Sequence, residues 1–195
     1  MRRSAALAHA ALALILALTL DAAQAAPTAT KFEPTAQVQG TRLLLNGAGT
    51  RYKAIFKVYD MGLYTAKKVS TPDELLALTG PTRLQFTALR ELPGTDLGRL
   101  FVKGLTENSP NDMVQRHTIS TTRFIEIFSG RSKLMPGDSF AMEFWPGKGT
   151  QFFIVGQPQG EPVGDAEFFS MVLKIWVGSS PADSSLKDAL LGVER

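Results

Sequence analysis

The chain of 195 residues contains no cysteine and only two histidines. Without cysteine there can be no disulfide framework, thiol nucleophile, iron–sulfur cluster or thiolate zinc site. His9 lies in the N-terminal segment discussed below, which leaves His117 as the single histidine of the remaining chain. The acidic residues are scattered without a paired ligand spacing, so we predict no metal site and no cofactor.

The sequence also has little excess charge. Its formal net charge is +3, and Arg2 and Arg3 contribute part of it. Without residues 1–25 the excess falls to +2, which gives no case for binding nucleic acid or an anionic membrane surface. Apolar residues make up 44% of the chain and charged residues 20%, which excludes intrinsic disorder, collagen and coiled coil and fits a globular domain.

The one long apolar run lies at the N-terminus. Residues 1–26 read MRRSAALAHAALALILALTLDAAQAA, a basic start followed by an apolar core and small residues, which is typical of a secretory signal peptide. A membrane anchor is the alternative, but the apolar core is short and ends at Asp21. We predict cleavage after Ala25, or after Ala26, and a periplasmic or otherwise exported protein. No later apolar run is long enough to span a bilayer, so we expect no transmembrane segment in the mature chain.

The rest of the chain predicts an extended lead-in over residues 26–36 and a single domain over 37–195. Period-two patterns predict strands at residues 42–45, 51–59, 83–89, 140–145 and 151–155. Helical spacing and end signals predict helices at residues 72–78, 95–108, 111–129, 166–177 and 186–191. The glycines of residues 46–49 predict a turn. This order favours an α+β fold in which helices cover an antiparallel sheet.

Two side chains are candidates for chemistry on residue type alone. His117 is a possible general base, but no partner can be named from spacing, and we interpret it as a lone surface histidine. Arg51 follows the predicted glycine turn and enters a strand whose neighbours face the core. A partly buried guanidinium requires an anion or several acceptors, so Arg51 is an anion-binding residue, one half of a salt bridge, or a side chain that faces solvent.

Several segments resemble a known family. NGAGTR at residues 46–51, FKVYDMGLY at 56–64, and the run from FF at 168–169 to KIWVG at 174–178 are similar to the chalcone isomerase fold, in its branch of bacterial exported chalcone isomerase-like proteins. The similarity spans residues 37–192. It implies an open-faced antiparallel β-sheet packed against a layer of helices.

The resemblance also implies a site. In the plant isomerases of this family an arginine holds the substrate anion, while a tyrosine, an asparagine and threonines arrange water and hydrogen bonds. Arg51 matches the arginine and Asn108 the asparagine, but Phe101 stands at the tyrosine position. Tyr59 falls near the strand threonine and Ile175 near the hydroxyl residue of the late helix. The hydrogen-bonding set for catalysis is therefore largely absent.

Some members of the fold bind fatty acids without catalysis, and this sequence departs from the enzymes in the same direction. We predict non-catalytic binding of a small amphipathic or aromatic anion such as a fatty acid, with Arg51 at the head group and Phe101, Leu105 and Ile175 at the tail. One alternative is an intramolecular lyase acting on an enone, with Arg51 and Asn108 in its site. Another is an envelope interaction module, in which Arg51 is salt-bridged and side chains fill the cleft.

Overall fold

The computed structural model describes residues 29–193, so the predicted signal peptide lies outside the described residues. The strands are β1 Thr35–Val38, β2 Thr41–Lys53, β3 Phe56–Thr65, β4 Thr82–Ala88, β5 Leu92–Pro93, β6 Lys133–Leu134, β7 Ser139–Trp145, β8 Gly149–Ile154 and β9 Gln157–Pro158. The helices are α1 Pro72–Leu76, α2 Gly94–Asn108, α3 Asn111–Arg116, α4 Thr118–Ser129, α5 Ala166–Val177 and α6 Ser184–Leu190.

Seven strands form one sheet in the order β1-β2-β3-β4-β7-β8-β9, and every neighbouring pair is antiparallel. Along β4 buried residues alternate with partly exposed ones, as expected for a strand with one face against the core. The core lies between this sheet and the helices, chiefly α2, α4 and α5. The predicted α+β class, with helices packed against an antiparallel sheet, is confirmed.

Local sequence explains where the helices begin. Thr71 and Glu74 form a capping box before α1, and Pro72 occupies the first helical position. The side chain of Asp165 caps α5 by accepting a hydrogen bond from the Phe168 amide, and Asp183 caps α6 in the same way. At α2 no side chain caps the first turn.

The turn predicted at residues 46–49 is wrong, because these residues lie inside β2. A bulge separates Leu45 from Gly47 in the pairing with β3, and the strand then continues to Lys53. The glycines serve a close approach to α6. A β-carbon at Gly47 would collide with the Ala189 carbonyl, and one at Gly49 would lie 2.8 Å from the Ala189 β-carbon.

The helix predicted over residues 111–129 is two helices that meet at His117. The surface position predicted for His117 is also wrong, since the residue is 8% exposed. Its Nε2 lies 2.8 Å from a carboxylate oxygen of Glu167 on α5. The pair joins the α3–α4 junction to the start of α5, which gives this histidine a structural role.

Residues 30–34 lie against the face of the sheet opposite the helices. The amide of Thr30 donates to the buried carboxylate of Asp60, and the Tyr64 hydroxyl donates to the Glu33 carbonyl. The ring of Phe32 lies over Gly62, where a β-carbon would approach it to 2.8 Å. This part of the predicted lead-in therefore covers β3. Among residues 29–193 no helix combines the length and apolar character needed to cross a bilayer.

Candidate functional site

A cavity of about 520 Å³ lies between the sheet and the helices, at the end where β2 turns into β3. The strands contribute Arg51, Val58 and Tyr59 to its wall, and α2 contributes apolar side chains at Leu97 and Phe101. The end of α5 and the segment 180–182 close the opposite side. Its volume is within the range of about 300–1,000 Å³ typical of small-molecule sites.

Four of the six predicted site residues line this cavity, namely Arg51, Tyr59, Phe101 and Ile175. The structure does not bring the other two to its wall. Leu105 is fully buried in the core, one turn beyond Phe101 on α2. The Asn108 side chain is occupied in joining the end of α2 to the loop after α5, since it donates to the Ser180 carbonyl and accepts from the Ser180 amide.

Arg51 and Tyr59 are cross-strand neighbours on β2 and β3. The guanidinium carbon lies 5.6 Å from the centre of the Tyr59 ring, within the range of a cation–π contact. The Arg51 Nε is buried and has no hydrogen-bond partner. Within the described part of the chain no carboxylate lies at salt-bridge distance from Arg51. The guanidinium therefore faces the cavity as an unpaired cation.

The Tyr59 hydroxyl accepts a hydrogen bond of 2.8 Å from the indole nitrogen of Trp176 on α5. Both side chains are buried and both line the cavity. Burial raises the pKa of the Tyr59 phenol above its ordinary value, although the positive charge of Arg51 opposes the increase. The phenol is therefore protonated at neutral pH, and its proton remains available for donation to a ligand.

More basic than acidic side chains surround the cavity. Lys53 and Arg90 join Arg51 on its wall, and neither has a salt-bridge partner within residues 29–193. The acidic lining residues are each paired with a basic one: Glu91 with Lys133, Asp96 with Arg99, and Glu107 with Lys103. The local electrostatics therefore favour an anion. Residues 29–193 contain no cluster of three histidine or acidic side chains placed to hold a metal.

Gly104 sets how closely α2 approaches α5 beside the cavity. A β-carbon at Gly104 would lie 2.8 Å from the Ile175 Cγ2. The two helices are therefore in direct contact here, and both residues line the cavity.

Four further lining residues are not predicted as site residues: Trp176, Lys53, Arg90 and Leu97. Trp176 and Leu97 do stand out in the sequence, on the apolar faces of two predicted helices, but the same pattern also describes core residues. Lys53 and Arg90 carry no such signal. They reach the cavity because β2 ends, β3 begins and β4 ends at the same end of the sheet.

Comparison with known proteins agrees with this architecture. A protein-family model described as chalcone isomerase-like matches residues 25–192. A search of curated proteins gives no significant match. Among solved structures, the crystal structure of a fatty-acid binding protein from Arabidopsis thaliana superposes with a TM-score of 0.64. That match has 15% sequence identity and covers 82% of this chain and 90% of the plant chain. At this identity the likeness shows a shared fold. From the extent of the family match and the shared fold, the chain belongs to the chalcone isomerase-like family.

Proposed function

We propose that this protein binds a small amphipathic anion such as a fatty acid in the cavity between the sheet and the helices. The observation that carries the proposal is Arg51, a guanidinium without an acidic partner on the wall of a largely apolar cavity. In this proposal Arg51 binds the carboxylate, and the hydrocarbon tail lies against Leu97, Phe101 and Ile175.

The physical argument rests on charge. A guanidinium removed from water is costly unless an anion or several acceptors compensate it, and a carboxylate matches its planar donors. The protonated Tyr59 hydroxyl is a second donor on the same wall. The Arabidopsis thaliana protein of the same fold is a fatty-acid binding protein, and a fatty acid combines a carboxylate head group with an apolar chain. No cofactor is needed for such binding.

Catalysis as an intramolecular lyase receives less support from the site. Phe101 offers no hydroxyl at the position where the isomerases of the family have a tyrosine. The Tyr59 hydroxyl already accepts a hydrogen bond from Trp176, and its raised pKa disfavours the phenolate that a base would require. Asn108 is engaged by Ser180 and does not line the cavity. These features support binding over cyclisation.

An interaction module without a small ligand is the other alternative. It requires that Arg51 be salt-bridged and that side chains fill the cleft. Arg51 has no salt-bridge partner in the described residues, and a cavity of about 520 Å³ lies beside it. Both observations count against that alternative. We place the proposed binding in the periplasm or another exported compartment, on the evidence of the predicted signal peptide.

The test compares Arg51→Met with Arg42→Met, an exposed arginine on the same strand and outside the cavity lining. Palmitate binding is measured by calorimetry, and methyl palmitate serves as the uncharged ligand. A hydrogen bond to a charged group contributes about 1.5–3 kcal/mol, so Arg51→Met should raise the Kd for palmitate by roughly 10- to 150-fold.

Arg42→Met should leave the Kd for palmitate unchanged, and the wild type should bind methyl palmitate more weakly than palmitate. The proposal is rejected if the wild-type protein, isolated free of endogenous ligand, does not bind palmitate. Equal losses of palmitate affinity in the two variants would show that Arg51 does not bind the carboxylate. Equal affinity of the wild type for palmitate and methyl palmitate would show the same.

A further inference from the structure

The turn between β2 and β3 exposes two adjacent apolar side chains. Ile55 is 83% exposed and Phe56 is 59% exposed. The pairing of Lys53 with Phe56 fixes the turn, and Ala54 takes a positive φ of 54° to close it. The exposure is therefore built into the strand register. We call residues 53–57 the hairpin tip.

Two more exposed apolar residues lie in turns at the same end of the strands, which we call the apolar edge. The register pairs Tyr59 with Ala88, Thr87 with Ser139, and Phe140 with Ile154. The turns that hold Met135 and Val155, each 45% exposed, therefore emerge alongside the hairpin tip. Three strand spacings separate β3 at the tip from β8 at Val155, so at about 4.8 Å per spacing this apolar edge extends for roughly 15 Å.

The charges around the tip are mainly positive. Lys53 and Lys57 flank the turn, and the guanidinium carbon of Arg90 lies 5.8 Å from the centre of the Phe56 ring. None of the three has a salt-bridge partner in the described part of the chain. Of the acidic groups nearby, Glu91 forms a salt bridge with Lys133, and the Asp138 carboxylate accepts a hydrogen bond from the Met135 amide.

The tip is also continuous with the cavity, because Lys53, Val58 and Arg90 line the cavity wall. We propose that the hairpin tip docks on an anionic lipid bilayer, with Ile55 and Phe56 inserted among the head groups and the basic side chains on the lipid phosphates. The inference rests on the proposed function, because docking of this edge would place the cavity beside the source or destination of an amphipathic anion.

The physics of the tip suits weak, reversible binding to a bilayer. Burial of apolar side chains among the head groups is favourable, and each basic residue near an anionic surface adds an electrostatic attraction. Two apolar side chains and three cations therefore give a contact that depends on salt and lipid charge. The apolar edge combined with unpaired cations fits a bilayer better than a protein partner. An anionic bilayer offers both apolar chains and phosphates to any protein surface, whereas a protein partner would need a matching shape.

The test measures cosedimentation of the purified protein, expressed from the full chain, with vesicles of equal parts phosphatidylglycerol and phosphatidylcholine. Ile55→Ser is compared with Ile119→Ser, because Ile119 is an isoleucine with 77% exposure on α4. We expect the wild type to bind these vesicles and to bind pure phosphatidylcholine weakly. Ile55→Ser should lower the partition coefficient by about tenfold, and Ile119→Ser should not change it. Lys57→Gln should reduce the decrease in binding that added salt causes.

Palmitate binding without vesicles separates this inference from the proposed function. Ile55→Ser should keep the wild-type Kd for palmitate, whereas Arg51→Met should lose palmitate affinity and keep its partition to vesicles. The docking proposal is overturned if the wild type stays in the supernatant with anionic vesicles, or if Ile119→Ser loses as much binding as Ile55→Ser. Vesicle binding that ignores lipid charge would overturn the assigned role of the cations.

Discussion

The helices meet the sheet in two different ways at its two ends. At one end, which we call the packed end, aromatic rings fill the space between the layers. The Phe124 ring centre lies 4.7 Å from that of Phe101, 5.1 Å from that of Phe152 and 5.7 Å from that of Phe128. At the other end, the cavity end, the same sheet and the two helices α2 and α5 enclose about 520 Å³ of open space beside Arg51.

Phe101 stands at the boundary between the two ends. Its ring contacts Phe124 and Phe128 on one side and lines the cavity on the other. Beyond it the cavity wall combines the rings of Tyr59 and Trp176 with Val58 and the charged Arg51. A guanidinium packed into hydrocarbon without an anion is costly. The cavity end therefore places its charged side chain beside space rather than against the aromatic packing of the packed end.

The largest expected effect tests whether the packed end carries the stability. Phe124→Ala removes a fully buried ring and should lower the free energy of unfolding by about 3–5 kcal/mol. The control at the cavity end is Leu100→Ala, since Leu100 is only partly buried and lines the open space. It should cost about 1 kcal/mol, because little packing is lost. Urea denaturation measures both, and equal losses would contradict the distinction between the two ends.

A smaller effect is expected at the hydrogen bond that joins β3 to α5. Tyr59→Phe leaves the buried indole nitrogen of Trp176 without its acceptor and should cost about 1–3 kcal/mol at neutral pH. The pKa of the Tyr59 phenol is raised in the folded protein, so the unfolded chain loses this proton first. The stability that the protonated phenol provides is therefore complete below about pH 10 and decreases as the pH rises above it.

The variant should show a flatter decrease in stability above about pH 10 than the wild type. Tyr64→Phe is the matched variant on the opposite face of the sheet. Burial raises the pKa of the Tyr64 phenol as well. Unfolding measured across alkaline pH checks this prediction. A wild-type slope in Tyr59→Phe would show that the buried phenol does not contribute to the alkaline loss.

The smallest expected effect concerns the contact between the helices at the cavity end. Gly104→Ala places a β-carbon against Ile175, and the clash should outweigh the better helix propensity of alanine, for a net cost of about 1 kcal/mol. Ile175→Ala removes the opposing atoms, so the double variant should be more stable than the sum of the two single changes predicts. A double-mutant cycle by urea denaturation measures this coupling. Additive losses would show that the helices do not meet at this point.

Much of the fold can be predicted from the sequence, because the patterns are local. The alternation over residues 83–89 and the capping signals at Asp165 and Asp183 each identify an element that the structure contains. The failures have non-local causes. Residues 46–49 are rich in glycine because α6 packs against them, and no local pattern distinguishes this from a turn. His117, where the predicted helix breaks, contacts Glu167, 50 residues away, and its burial cannot be predicted from the local sequence.

The site is only partly predictable for a similar reason. Helical spacing places Phe101 and Leu105 on one face of α2, but only Phe101 borders the open space. Which residue of α2 borders the cavity also depends on the side chains of the strands and of α5 that pack against it. The hairpin tip is a further example. The small net charge gives no case for an anionic membrane surface, yet the strand register gathers unpaired cations around Ile55 and Phe56.

The two tryptophans give the protein two optical probes, one on each side of the sheet: Trp176 on α5 and Trp145 on β7. Trp176 belongs to the cavity wall, where its indole bonds to the Tyr59 hydroxyl. Trp145 is packed with the cluster of Val38, Leu43 and Tyr64 on the opposite face and donates to Glu143. These are the only tryptophans of the sequence. The emission of Trp176 can therefore follow occupancy of the cavity without any attached label, while Trp145 provides an internal reference within the same molecule.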